Sequence, residues 1–256
     1  MIITGLNSFK DVHKGEKVFM IGTGPSLTYE MLDQLQGQYT FAMNNISIAY
    51  PHTKWRPHYY LNVSRSLLKY PYWQKHASES IKVAKHTFYW SRNMVHAMQN
   101  QPPESKITFL SCHTWPVFEK DCWESVSRWG SSMFTALQLV VYMGFSRIYL
   151  IGCDLGYLDG LNPTTMKDNF HFDSDYLGDK RKQWSLLNPL SLQLDEIRTV
   201  TAHQLTAMTT RRLGRWVFTC SPRLSGIYPL RSFEEALADE GEWLDQLEFR
   251  RDYREP

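Results

Sequence analysis

Apolar residues along this chain form two kinds of pattern: short, nearly unbroken runs, and longer stretches in which they recur at helical spacing. The runs Lys17–Ile21, Tyr39–Asn44, Pro57–Val63, Ile81–Ala84, Ile107–Leu110, Ile148–Gly152 and Trp216–Cys220 have the length and density of β-strands. Between them, Leu27, Met31, Leu32 and Leu35 mark a helix over Ser26–Leu35, with Ser26 at the N-cap position, Glu30 in the first turn and Gly37 beyond its end. Phe134, Leu137, Val140 and Val141 mark a second helix over Ser131–Met143, closed by Gly144. A long helix from Leu192 to Leu213 and a last one opened by Ser232, with Glu235 at capping-box spacing, complete the order.

Strands that alternate with helices imply a parallel sheet with right-handed crossovers. The fold class expected is therefore α/β, a single Rossmann-like domain with a mostly parallel sheet. From Asp154 to Pro189 the periodicity fails among Gly, Asn, Asp, Pro and aromatic residues, which predicts a mobile insertion or lid. This divides the chain into a nucleotide-binding body, 1–154 plus 190–256, and a small lid insertion, 155–189.

Composition narrows the function. At 256 residues, with 43% hydrophobic and 21% charged, the chain can bury a core of its own. A formal net charge of +2 with scattered Lys and Arg gives no basic stripe, so nucleic acid is not an expected partner. The start, Met1–Asn7, lacks the features of a secretory signal, and no run approaches the roughly 20 apolar residues of a membrane span. A soluble, cytoplasmic protein is expected. Cys112, Cys122, Cys153 and Cys220 show neither CxxC pairing nor zinc-ligand spacing, and Cys153 and Cys220 read as buried thiols.

Candidate chemistry sits where strands end. In a doubly wound sheet, ligands bind beyond the carboxyl ends of the strands, where helix N-termini offer amides to phosphate. Gly22-Thr23-Gly24-Pro25-Ser26 is such a turn, although it lacks the lysine of a Walker A loop and the third glycine of GxGxxG. Asn44, Asn45 and Asn62 follow the next strands and offer a donor and an acceptor each, or else close turns. Arg128-Trp129-Gly130-Ser131-Ser132 precedes the most apolar helix, with Ser131 either at an anion site or a plain N-cap. Asp154 ends the strongest strand, to meet a ligand hydroxyl or a metal or to cap a loop. Among nine histidines, His171 stands apart in Asn169-Phe170-His171-Phe172-Asp173, where aromatics could desolvate it and acids orient it. An imidazole is the side chain suited to act as a general base at neutral pH.

The segments Ile21–Leu27, Phe41–Asn44, Tyr60–Asn62, Arg128–Ser132 and Gly144–Asp154, taken in order, resemble the bacterial family-42 sialyltransferases. They are similar as well to a wider family containing motility-associated flagellin glycosyltransferases and archaeal 6-hydroxymethylpterin diphosphokinases, to which Phe218–Pro222 and Ser232–Ala236 also correspond. The resemblance implies an inverting, metal-independent glycosyltransferase with no cofactor, taking a nonulosonic acid from a CMP-sugar to a glycan or protein acceptor. Carried over by position, it implies contact of Gly22, Gly24 and Ser26 with the nucleotide phosphate, of Asn44 and Asn62 with the nucleotide and donor, and of Ser131 with the cytidine side. Thr23, Pro25, Ser132 and Asp154 complete the expected nucleotide-binding set. It also implies His171 as general base, Arg128 at the reacting centre, and Tyr157 and Tyr176 donating to the departing phosphate. Thr23 departs from the asparagine usual in that loop, and Gly156 adds a residue between Asp154 and Tyr157. Two alternatives remain: pyrophosphoryl transfer from ATP with Mg²⁺ held by Asp154, or a non-catalytic nucleotide-binding protein. The aromatic-rich stretch 55–90 would serve as an acceptor surface or as a contact in a homo-oligomer.

Overall fold

The computed structural model describes residues 1–99, 101–155, 168–180 and 189–241. The strands are β1 (Ile2–Ile3), β2 (Lys17–Ile21), β3 (Thr40–Met43), β4 (Tyr59–Asn62), β5 (His86–Trp90), β6 (Lys106–Leu110), β7 (Cys112–His113), β8 (Val126–Ser127), β9 (Arg147–Ile151) and β10 (Trp216–Thr219). The α-helices are α1 (Tyr29–Gln34), α2 (Pro71–Val83), α3 (Met94–Met98), α4 (Ser132–Tyr142), α5 (Pro189–Arg212) and α6 (Phe233–Ala238). Eight strands form one parallel sheet in the order β1-β6-β5-β4-β3-β2-β9-β10, and β7 and β8 pair separately. The architecture is α/β and Rossmann-like. No helix among the described residues is long and apolar enough to cross a membrane.

Side-chain alternation divides the core. Val18, Met20, Phe41 and Met43 face one side of the sheet, where the nearly all-buried α4 and Ala202 of α5 cover them. Phe19, Ile21 and Ala42 face the other, against Leu32 of α1, Trp73 and Ile81 of α2, and Phe233 of α6. The chain thus leaves β2 toward one face, while α4 leads into β9 from the other. Strand order reverses between β2 and β9, which opens a crevice at their carboxyl ends.

Several local expectations change. Ile81–Ala84 is the end of α2 rather than a strand, because Trp73, Ala77 and Ile81 bury one face at four-residue spacing after Pro71 opens the helix. The strand is His86–Trp90, just beyond. The N-cap of α1 is Thr28, whose Oγ1 accepts from the Met31 amide at 3.2 Å, and not Ser26. The Ser232–Glu235 capping box forms as its spacing predicts. All four cysteines are free; Cys153 is buried, but Cys220 is only partly so.

Candidate active site

The crevice is lined first by two loops that touch each other. A Cβ on Gly22 would lie 2.2 Å from the Gly152 carbonyl oxygen, and one on Gly24 would lie 2.3 Å from Asp154 Oδ2. Both positions therefore require glycine, so that the turn after β2 can nestle against the turn after β9. The Gly22 amide donates to Ile151 O at 2.8 Å and the Gly24 amide to Gly152 O at 2.7 Å. The Ser26 amide donates to Asp154 Oδ2 at 2.8 Å, and Ser221 Oγ donates to Oδ1 of the same carboxylate at 2.7 Å.

This corrects the sequence-based view of the loop. The amides of Gly22, Gly24 and Ser26, expected on a phosphate, already have protein acceptors, and Pro25 has none to give. Thr23 is the residue of this turn whose amide has no acceptor among the described residues. Asp154 braces the two turns and the segment after β10. Pro25 and Ser26 are exposed and do not line the cavity.

The cavity itself has a volume of about 310 Å³. Of the residues expected at the site it brings together Gly22, Thr23, Gly24, Asn44, Ser131, Ser132, Asp154, His171 and Tyr176. Asn44 occupies the left-handed region at φ 55, and its Oδ1 accepts from Ser132 Oγ at 3.3 Å. Ser131 caps α4, its Oγ accepting from the Phe134 amide at 3.3 Å. Asn62 is fully buried outside the cavity, donating to Tyr60 Oη at 2.9 Å and accepting from the Ser64 amide at 3.1 Å. It closes a turn, and the ligand role expected of it has no access. Arg128 lines a neighbouring cavity rather than this one. Tyr157 lies outside the described residues.

The remaining wall is the stretch 168–180, and its chemistry centres on His171. Nδ1 of His171 is 2.8 Å from Asp168 Oδ2 and 3.0 Å from Oδ1. The Asp168 side chain is wholly buried and also accepts from the Phe170 amide at 2.9 Å, which fixes its orientation. The imidazole stacks on the Tyr176 ring, with centroids 3.9 Å apart and planes 16° apart. An Nδ1–H donated to a carboxylate selects the tautomer in which Nε2 is the basic nitrogen. Tyr176 is buried, and its ring serves as the platform under His171.

Over 168–180, the insertion forms a wall of the cavity and is hydrogen-bonded to the body. The Phe172 amide donates to Thr23 O at 3.0 Å, Tyr29 Oη to Asp173 Oδ2 at 2.9 Å, and Asn45 Nδ2 to Tyr176 O at 3.0 Å. Tyr176 and Leu177 enter the core on the face shared with Trp73. Residues 156–167 and 181–188 of that insertion lie outside the described residues.

Sequence reading missed two groups here. Asp168 orients His171, whereas the acid closer in sequence, Asp173, binds Tyr29; Asp-x-x-His spacing was the available signal. His203 of α5 also lines the cavity. Its Nδ1 is 3.0 Å from Tyr228 Oη, which donates to the His203 carbonyl, and burial lowers its pKa to about 4. It is neutral at pH 7, and no pattern along α5 distinguishes it.

Comparison with known proteins gives a family and a fold. The family model described as 6-hydroxymethylpterin diphosphokinase MptE-like matches residues 2–160. No curated protein matches the sequence. Among solved structures, the MAf glycosyltransferase from Magnetospirillum magneticum AMB-1 is similar, with 13% identity and a TM-score of 0.51 over 84% of this chain. That match takes in only 35% of the MAf chain, so this chain spans about a third of its length. The sialyltransferase CstII from Campylobacter jejuni, solved with CMP-3FNeuAc, has 15% identity and a TM-score of 0.48 over 86% of this chain and 88% of that one. The family match extends over more than half of the sequence and includes both turns of the crevice, and the chain belongs to the 6-hydroxymethylpterin diphosphokinase MptE-like family.

Proposed function

We propose that this chain is an inverting glycosyltransferase that uses a CMP-sugar donor, with a nonulosonic acid as the transferred group. The observation that carries this reading is the Asp168–His171 pair on the wall of a cavity at the strand-order reversal. His171 Nε2 takes the proton of an acceptor hydroxyl, and the oxygen attacks the anomeric carbon. The bond from that carbon to the phosphate oxygen breaks, its electron pair leaving with the nucleotide. Asp168 stabilises the imidazolium formed, as a buried carboxylate on Nδ1 does in other His-based catalysts. The start of α4, at Ser131 and Ser132, and the Thr23 amide supply the positive potential that the departing phosphate meets. The glycosyltransferase activity of MAf, a structural relative of this fold, agrees with this assignment.

The family description favours a second reading, pyrophosphoryl transfer from ATP to a pterin hydroxyl. The same dyad would deprotonate that hydroxyl. Asp154, the carboxylate assigned to Mg²⁺ in that reading, already accepts from Ser26 and Ser221, one bond on each oxygen. Among the described residues no three His, Cys, Asp or Glu side chains cluster for a metal. Magnesium in that reaction would be shared between the nucleotide phosphates and at most one or two protein carboxylates.

Thermal shift with CMP, UDP, GDP and ATP, each with and without Mg²⁺, separates the two readings. Stabilisation by CMP without metal, with transfer persisting in excess chelator, is the expected result. ATP-dependent AMP release with a pterin would replace it with the second reading. CMP binding without hydrolysis or transfer would reduce the chain to a nucleotide-binding protein.

A further inference from the structure

Beside the main cavity lies a second one, of about 430 Å³, and Gly130 lines both. Its walls carry three guanidinium groups, those of Arg65, Arg128 and Arg198, against a single carboxylate, Asp195. That carboxylate already has a partner, for Asp195 Oδ1 lies 3.4 Å from Arg198. Among the described residues neither Arg65 nor Arg128 has an acidic group within salt-bridge distance.

Arg128 is half-buried, with its guanidinium carbon 4.2 Å from the centroid of the Trp90 ring. Arg92 lies over the same ring at 5.6 Å. Burial, then the charges of Arg65 and Arg92, lowers the Arg128 pKa. Like charges gathered without a counter-charge repel one another, and an anion in the cavity removes that penalty. Guanidinium groups also match the geometry of carboxylate and phosphate, and stacking on an indole fixes one of them in place.

We propose that this second cavity is an anion subsite that receives the carboxylate or phosphate of an acidic sugar acceptor, whose reacting hydroxyl enters the main cavity past Gly130. Naming the anion as part of the acceptor rests on the glycosyl-transfer reading. Binding of the anion itself does not.

Glucuronate, as a sugar carboxylate, and inorganic phosphate are titrated against the full chain at constant ionic strength, with glucose as the neutral control, by thermal shift and calorimetry. Saturable binding of at least one anion is expected, with none for glucose. In Arg65→Gln and Arg128→Gln the dissociation constant should rise by about tenfold, the loss of one charge-assisted contact. Arg65 is exposed, so its substitution should leave the ligand-free melting temperature unchanged and serve as the folding control. Tighter glucuronate points to a carboxylated acceptor, and tighter phosphate to a phosphorylated one. Absence of saturable anion binding, or binding untouched by both substitutions, overturns the proposal. Loss of CMP binding in the variants with anion binding intact also overturns it, because the arginines would then belong to the donor. Anion binding that depends on the arginines, in a chain that binds no nucleotide, keeps the subsite and removes the glycosyl-transfer reading instead.

Discussion

The two turns at the carboxyl ends of the neighbouring strands β2 and β9 and the wall at 168–180 line the same cavity but differ in what they offer a ligand. In the turns, the Gly22, Gly24 and Ser26 amides and the Asp154 carboxylate bond to one another or to neighbouring protein groups, so this region is a closed structural joint. The wall is anchored through its backbone and through Asp173, while Asp168 and His171 pair with each other at the cavity, the arrangement on which the proposed acid–base role rests. A glycine-rich turn is therefore not evidence of a phosphate cradle until its amides have been followed to their acceptors. Here glycine permits contact between two loops.

The contrast predicts that substitutions in the wall alter turnover and that substitutions in the joint alter stability. His171→Ala should have the largest effect, lowering kcat by about 10²–10⁴-fold, the usual contribution of a general base, with the melting temperature nearly unchanged. Steady-state assay beside a thermal melt checks it, and intact transfer would remove His171 from the mechanism. Asp168→Asn should lower kcat by about 10–10²-fold, because an amide can hold the wrong imidazole tautomer and does not stabilise the imidazolium. A change confined to KM would show that Asp168 shapes the wall without acting through His171.

Gly22→Ala should destabilise the fold by about 1–3 kcal/mol, because its methyl group would meet the Gly152 carbonyl at 2.2 Å. Denaturant titration measures it. Should stability hold while nucleotide affinity falls, the joint would prove to be a ligand contact and the comparison would fail.

The smallest effect at neutral pH concerns His203. Its folded pKa of about 4 lies below the ordinary 6.5, so the unfolded chain binds the proton more readily. Its neutral form supports the fold fully above about pH 6.5, and that support is lost as pH falls toward 4. His86, also lowered to about 4 by burial, acts in the same direction. Melting temperature should drop across this interval, and His203→Gln should lessen the drop. An unchanged profile in the variant would show that His203 does not contribute to it.

Much of the strand succession along the chain was legible because a buried strand is a short apolar run, and six of the seven runs read as strands are strands. The error at Ile81–Ala84 is instructive. The end of a helix with a buried face and the start of a strand look alike over four residues, and only the packing of Trp73 and Ala77 beside Ile81 separates them. His171 was legible because the residues around it are local. Asp168, three positions away, was within reach of the same reading, whereas His203 depends on Tyr228 on a different element.

The sequence by itself determined an α/β order with parallel strands, a crevice-forming turn after the first long strand, and a histidine set between aromatic and acidic neighbours. These depend on periodicity and on neighbours in the chain. Only the tertiary structure decided that the glycine turn closes on Gly152, that Asn62 is buried, and that Arg128 belongs with Arg65 and Arg198 in a separate cavity. Each of those outcomes depends on which distant group satisfies a donor, an acceptor or a charge. Hydrogen bonds and ion pairs between residues distant in the chain form only when folding brings them together, and spacing along the chain carries no record of those.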